Sequence, residues 1–176
     1  KDLLSIGAMI DPNANLLGIK GNVSEYGMSR FFKRKSMGVF DEESMIVEAE
    51  NLKEFLFEYS KHYQFNVNKM VAVGYSNGAN IASAVAFLHG KIFNKMILFH
   101  PMVPIRGVKL ANLKRMQIFI GAGENDQMMP EHEVSELTQI FESANAEVDV
   151  FWTSYGHQLS KEELDAAKAW YQESLL

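Results

Sequence analysis

The stretch MVAVGYSNGANIASAVAF, residues 70 to 87, constrains the fold more than any other part of the chain. An apolar run, Met70 to Gly74, reads as a buried strand. Two residues later, small-residue spacing from Asn77 to His89 reads as a helix. A strand that turns into a helix so abruptly is half of a βαβ unit, and the pattern recurs downstream. Lys95 to Phe99 is a second apolar strand ending at HPMVP. MQIFIGAGEND is a strand, taken to end at Ile120, that runs into a glycine-rich loop; Pro130 then fits the first turn of a helix reaching about Ser143. EVDVFWTS is the last strand, and Ser160 with Glu163 forms a capping box ahead of a helix carrying Leu164, Ala167 and Tyr171 on one face.

Upstream, residues 3 to 10 read as the end of a helix, and NANLLGIKG, Asn13 to Gly21, as turn, short buried strand, turn. A long loop is expected to follow. The acidic DEE at Asp41 suits a helix start, and Met45, Ala49, Leu52, Leu56, Tyr59 and Tyr63 recur at helical spacing. Alternating strands and helices predict an α/β fold, a mostly parallel doubly wound sheet covered on both faces, within one domain over residues 1 to 176. Ligands in such sheets bind at the carboxyl ends of the strands.

Composition narrows the function. A net charge of -5 and no basic run longer than Lys33-Arg34-Lys35 give no electrostatic footprint for nucleic acid or an acidic membrane. There is no cysteine, which excludes disulfides, thiolate metal sites and a cysteine nucleophile, and is compatible with a cytoplasmic location. No segment reaches the roughly 20 apolar residues of a membrane span. Gly121-Ala122-Gly123 lacks the third glycine of a dinucleotide fingerprint. No cofactor and no metal is therefore expected, the partner is a small molecule, and self-association into a homo-oligomer is left open.

Ser76 lies between Gly74 and Gly78, which remove side chains that would clash in a tight turn. The pentapeptide alone arises by chance in roughly one chain in twenty of this length, so its context decides. A nucleophilic serine needs a base and an acid to orient that base. Asp126 and His157 both fall in loops after strands, at the same sheet end as Ser76 and in the order serine, acid, histidine. Among other histidines, His132 follows the acid too closely, His62 and His89 sit at helix ends, and His100 precedes the acid. Glu124 competes with Asp126, but the shorter side chain at the loop apex favours Asp126. The Asn77 N–H, at the positive end of the helix, is one donor for a developing oxyanion. Met28, Met37, Met102, Met128 and Met129 fall in loops, where they serve an adaptable pocket or plain packing.

These residues resemble the α/β-hydrolase fold, and within it the phospholipase/carboxylesterase family of small bacterial-type serine esterases. The similarity runs through GNVSEYGMSRFFKR, GVFDEE, VGYSNGANIA, HPMVP, GAGENDQMMP and GHQLS. It implies Ser76 as nucleophile, Asp126 as acid and His157 as base, with Arg30, Phe31, Phe32 and Met102 as a substrate-facing wall. The implied activity is hydrolysis of small or aromatic carboxylic esters through an acyl-enzyme. A thioesterase or lysophospholipase would share the triad, and a noncatalytic hydrolase-fold binding domain is the alternative from another class. Dienelactone hydrolases are similar in fold but use a cysteine. The resemblance also implies an upstream strand with a His-Gly loop supplying the second oxyanion donor. The expectation is accordingly of a chain lacking its N-terminal strands, weakly active and poorly soluble by itself.

Overall fold

The computed structural model describes residues 2 to 176. Its elements are, in order, α1 (Asp2–Ile10), β1 (Val23–Glu25), β2 (Met28–Arg30), β3 (Arg34–Ser36), β4 (Val39–Phe40), α2 (Glu42–Tyr63), β5 (Val71–Tyr75), α3 (Asn77–His89), β6 (Lys95–Phe99), β7 (Gln117–Gly123), α4 (Glu131–Ser143), β8 (Glu147–Thr153) and α5 (Lys161–Glu173); a 3-10 turn at Val67–Lys69 precedes β5. The last four strands form a parallel sheet in the order β5-β6-β7-β8. Each parallel step needs a crossover, and α3 and α4 supply two of them.

The two faces of the sheet carry separate cores. On β6, alternate side chains point to opposite faces, as a strand requires. Met96 and Leu98 pack with the α2, α3 and α4 residues Met45, Ala84 and Phe141. Ile97 and Phe99 pack with Ile10 of α1, Phe119 and Ala167 of α5. Every residue of β6 is buried, so this strand is central and its carboxyl end, His100, is sealed from solvent.

The helix ends follow the sequence signals. Asp41 caps α2 by accepting from Ser44 N–H, and Ser160 and Glu163 make both bonds of the capping box on α5. Pro130 sits at the cap of α4, one position before its first turn. The α2 stripe fades at its end, where Tyr63 is exposed.

Three expectations need correction. Residues 13 to 21 form no strand: 12 to 20 are exposed, and they pair with no strand among the described residues, so neither ladder bonds nor burial hold a regular conformation there. The loop before Asp41 contains two small hairpins, β1-β2 and β3-β4. The first turns at Tyr26-Gly27, both with positive φ, the two-residue geometry that matches strand twist. Strands of two or three residues are too short to show a period. Finally, β7 continues past Ile120 through its glycines to Gly123. Among the described residues no helix is long and apolar enough to cross a membrane.

Candidate active site

Ser76 stands between β5 and α3 with φ 53° and ψ -113°, a conformation that is uncommon for a residue with a side chain. Its amide donates to the Phe99 carbonyl of β6 at 2.8 Å, and its own carbonyl accepts from Asn80 at 3.0 Å, opening the helix. Of the two flanking glycines, Gly74 carries the steric demand. A Cβ there would lie 2.5 Å from the backbone of Gly78, whereas one on Gly78 would meet only Phe31, at an ordinary 3.8 Å. Strand and helix can close onto each other because residue 74 has no side chain, and the serine is thrust out at the turn.

Asp126 and His157 converge on it. His157 Nε2 lies 3.0 Å from Ser76 Oγ, and His157 Nδ1 lies 2.8 Å from Asp126 Oδ2. Asp126 is buried, and its Oδ1 accepts from the amides of Met128 and Met129, both at 2.9 Å. Burial pushes the Asp126 carboxyl upward, but the bonds from His157, Met129 and His100 outweigh it and hold the group below the ordinary carboxylate value. Glu124, the competing acid, is exposed and takes part in neither contact. The Tyr75 hydroxyl donates to the His157 carbonyl at 2.7 Å, fixing the loop that carries the imidazole.

One residue passed over in the sequence belongs to this cluster. His100, at the end of β6, places Nδ1 2.9 Å from the same Asp126 Oδ2 that meets His157, and Nε2 2.9 Å from Glu163 Oε1. Serine-acid-histidine order eliminates it as a base; its position at a strand end was the available signal. Donor atoms of His100, Asp126 and His157 lie within 4.8 Å of one another, close enough to surround an ion. All four ring nitrogens are nonetheless already paired, with Asp126 twice, with Glu163 and with Ser76. Three of these contacts are hydrogen bonds and the fourth, His100 Nε2 to Glu163 Oε1, is an ion pair, so the ring nitrogens are engaged within the cluster rather than open as ligands.

In front of Ser76 is a small cleft of about 60 Å³. Met37, Phe40, Met102, Met128 and Met129 give it apolar walls, and Arg30, Arg34, Asn77 and Asn80 polar ones. Arg30 and Met102 are both among its lining residues. Phe31 is held beside the site by its amide, which donates to Asn77 Oδ1 at 2.7 Å, and it packs against the core. Phe32 is a correction: it is fully buried and packs edge-on against Phe40, so it supports the wall from behind instead of facing the cleft. Glu25 pairs with Arg30 at 3.2 Å and Arg34 at 2.6 Å, joining the two hairpins at the rim. Met102 is set by its amide, which donates to the buried Asn80 Oδ1 at 2.8 Å. The Asn77 amide opens α3, where first-turn N–H groups have no carbonyl four residues back within the helix. A larger groove of about 500 Å³ beside Tyr155, Leu159 and Lys161 includes none of Ser76, Asp126 and His157.

Comparison with known proteins agrees with this architecture. The chain is 46% identical over 175 residues to the putative hydrolase MhqD of Bacillus subtilis (strain 168), covering 99% of this chain and 88% of that protein. It superposes on the Bacillus cereus carboxylesterase with a TM-score of 0.97 at 46% identity, covering 98% of this chain and 82% of the other. A carboxylesterase from Mesorhizobium loti gives 0.92 at 26% identity, covering 97% and 81%. The fold is that of the α/β-hydrolases. The motif resemblance points within that fold to the phospholipase/carboxylesterase family; the family model that matches is a different one, and here residue 76 is serine in a chain without cysteine. That model, the dienelactone hydrolase family, runs from residue 33 to 173 and takes in the serine turn, the acid loop and the histidine loop together, so the chain belongs to the dienelactone hydrolase family.

Proposed function

We propose that the protein is a serine carboxylesterase of the phospholipase/carboxylesterase type, acting on small or aromatic carboxylic esters through an acyl-enzyme and needing no cofactor. The observation that carries this reading is the continuous line from Ser76 Oγ to His157 and on to Asp126, at 3.0 and 2.8 Å. His157 Nε2 takes the hydroxyl proton as Oγ attacks the ester carbonyl. Asp126 fixes the tautomer that leaves Nε2 free to do so, and supports the imidazolium that forms. The negative charge on the carbonyl oxygen meets the Asn77 N–H and the positive end of α3. Collapse expels the alcohol, which takes the proton from His157. Water then attacks the acyl-Ser76 ester, giving up a proton to His157, which passes it to the departing Ser76 Oγ as the acid is released.

The small cleft and its methionine walls favour a short acyl or compact aromatic group over a long chain. The relatives named as carboxylesterases support ester hydrolysis as the reaction. The test is a panel of short aryl esters, an acyl thioester and a lysolipid, each with the wild-type protein and Ser76→Ala. The expected result is fastest turnover of the short aryl ester and its loss in the variant. Turnover that survives Ser76→Ala overturns the nucleophile, and faster turnover of the thioester or lysolipid overturns the substrate class.

A further inference from the structure

We infer that His100 is a positioning residue of this site, a buried imidazolium clamped between Asp126 and Glu163 that holds Asp126 in place and ionised behind His157. The inference rests on the reading of Asp126 as the acid. Counting donors and acceptors leads to it. Asp126 Oδ1 accepts two amides and Oδ2 faces two imidazoles; Glu163 Oε2 accepts the Ser160 amide and hydroxyl, both at 2.9 Å, and Oε1 faces His100 Nε2. Asp126 is filled as an acceptor, the state of an ionised group, while Glu163 accepts two bonds at Oε2 and turns a buried Oε1 with no hydrogen-bond donor toward His100. The side chains of His100, Asp126 and Glu163 are all fully buried. A neutral imidazole has one N–H and would turn a lone pair toward one of these anions; the imidazolium serves both. The Nε2 contact is poorly aligned as a hydrogen bond, so at 2.9 Å its attraction is that of an ion pair.

The backbone adds a separate observation. His100 has φ 52° and precedes Pro101, although positive φ is uncommon outside glycine and a residue before proline favours extended backbone. Its amide is held by the Gly121 carbonyl at 2.7 Å. Strain of this kind persists where surrounding contacts over-determine a position, often at a functional site. Gly121 also clears the space for the pair: a Cβ there would lie 2.9 Å from Glu163 Oε1. Glu163 therefore has a second task beyond capping α5. His100 cancels its charge and leaves Asp126 as the net charge beside His157. When His157 takes the serine proton, the buried cluster becomes neutral.

The groups facing His100 are Asp126 from the loop after β7, Glu163 from α5, the His157 ring at 5.3 Å and the Tyr75 ring of β5 at 5.9 Å. Burial pushes the imidazole down, and the two carboxylates more than reverse this, so it stays charged above the ordinary histidine value.

Imidazole nitrogen NMR of the ring-labelled protein tests the inference, with His100→Asn identifying the signal. Titrated upward from pH 6.5, His100 should keep protons on both nitrogens past that ordinary value; a ring that is already half neutral at or below it overturns the inference. In Glu163→Gln, His100 should lose its proton at lower pH, and the alkaline fall of kcat should move down with it while KM holds. A lower Tm with an unmoved pH profile would reduce Glu163 to a helix cap and overturn the coupling. His100→Asn keeps a donor toward Asp126 and should retain more kcat than His100→Leu, whose loss should approach ~10²-fold, the scale of a catalytic group misplaced by an ångström. Equal kcat for the two overturns the positioning role, and should His100→Leu fail to fold, the NMR and Glu163→Gln still decide. Fluorophosphonate labelling of the same samples separates the two readings: an unlabelled Ser76 fails the proposed function, whereas labelled Ser76 with neutral His100 fails this inference alone.

Discussion

Asp126 Oδ2 is flanked by two histidines at nearly equal distance, and the two sides of that oxygen could hardly differ more. On the cleft side, the His157 side chain is 20% exposed and rides on a loop held by the Tyr75 hydroxyl. On the inner side, His100 is sealed under α5, strained in its backbone and closed off by a second carboxylate. In the mechanism proposed above, the open imidazole gains and loses a proton as substrate turns over, while the closed one, between two carboxylates, keeps its proton. The same residue type thus serves as shuttle or as fixed charge according to burial and partners.

The comparison breaks most completely at the oxygen both histidines share. Asp126→Asn places an amide between them and should lower kcat by up to ~10⁴-fold in an ester assay, the loss seen when a triad acid no longer sets the tautomer. Glu124→Gln, two residues away and exposed, should leave turnover nearly unchanged. A mild Asp126→Asn beside a damaging Glu124→Gln would reverse the acid assignment. Phe32→Ala separates wall from core: it should cost roughly 3 to 5 kcal/mol of stability by denaturant unfolding. An unchanged unfolding midpoint with a raised KM would return Phe32 to the cleft.

Stability against pH sharpens the contrast further. His100, held above its ordinary 6.5, contributes stability that is complete below that pH and lost as pH rises through the folded value. Asp126 and Glu163 are held below 3.8 and 4.5, burial being outweighed in each by histidine bonds, so their contribution is complete above those values and lost as pH falls through the folded ones. Tm should therefore peak between about pH 4.5 and 6.5, and His100→Asn should flatten the alkaline decline. An alkaline decline of the same size in the variant would assign it to other groups. The smallest effect is expected from Tyr75→Phe, which frees one hydrogen bond to the His157 loop, worth about 1 kcal/mol. A few-fold drop in kcat is expected, and none at all would show that the loop is fixed without it.

Legibility in the sequence followed the range of the interaction. The β5-α3 turn, α3 itself and the capping box on α5 were readable because their causes lie within a few residues: a change of period, a glycine, a serine three before a glutamate. Ser76, Asp126 and His157 were also readable, since chain order at strand ends brings together groups 81 and 31 residues apart. His100 and Glu163 were not, because their pairing depends on α5 lying across the end of β6, which no local pattern encodes. Phe32 was assigned to the wall on the resemblance alone, and no local pattern announces the β3-β4 hairpin that sets Phe40 against it. Leu16, Leu17 and Ile19 read as a buried strand by composition, yet they remain exposed where no neighbouring strand pairs with them.

The proposed chemistry requires Ser76 to be a nucleophile activated by His157. It is tested most directly by exposing the protein to a fluorophosphonate probe and locating the adduct by peptide mass spectrometry, beside Ser76→Ala and His157→Gln. A single adduct is expected on the Ser76 peptide, absent from Ser76→Ala and slowed by orders of magnitude in His157→Gln. An adduct on another residue, or labelling of the two variants at the wild-type rate, would contradict it.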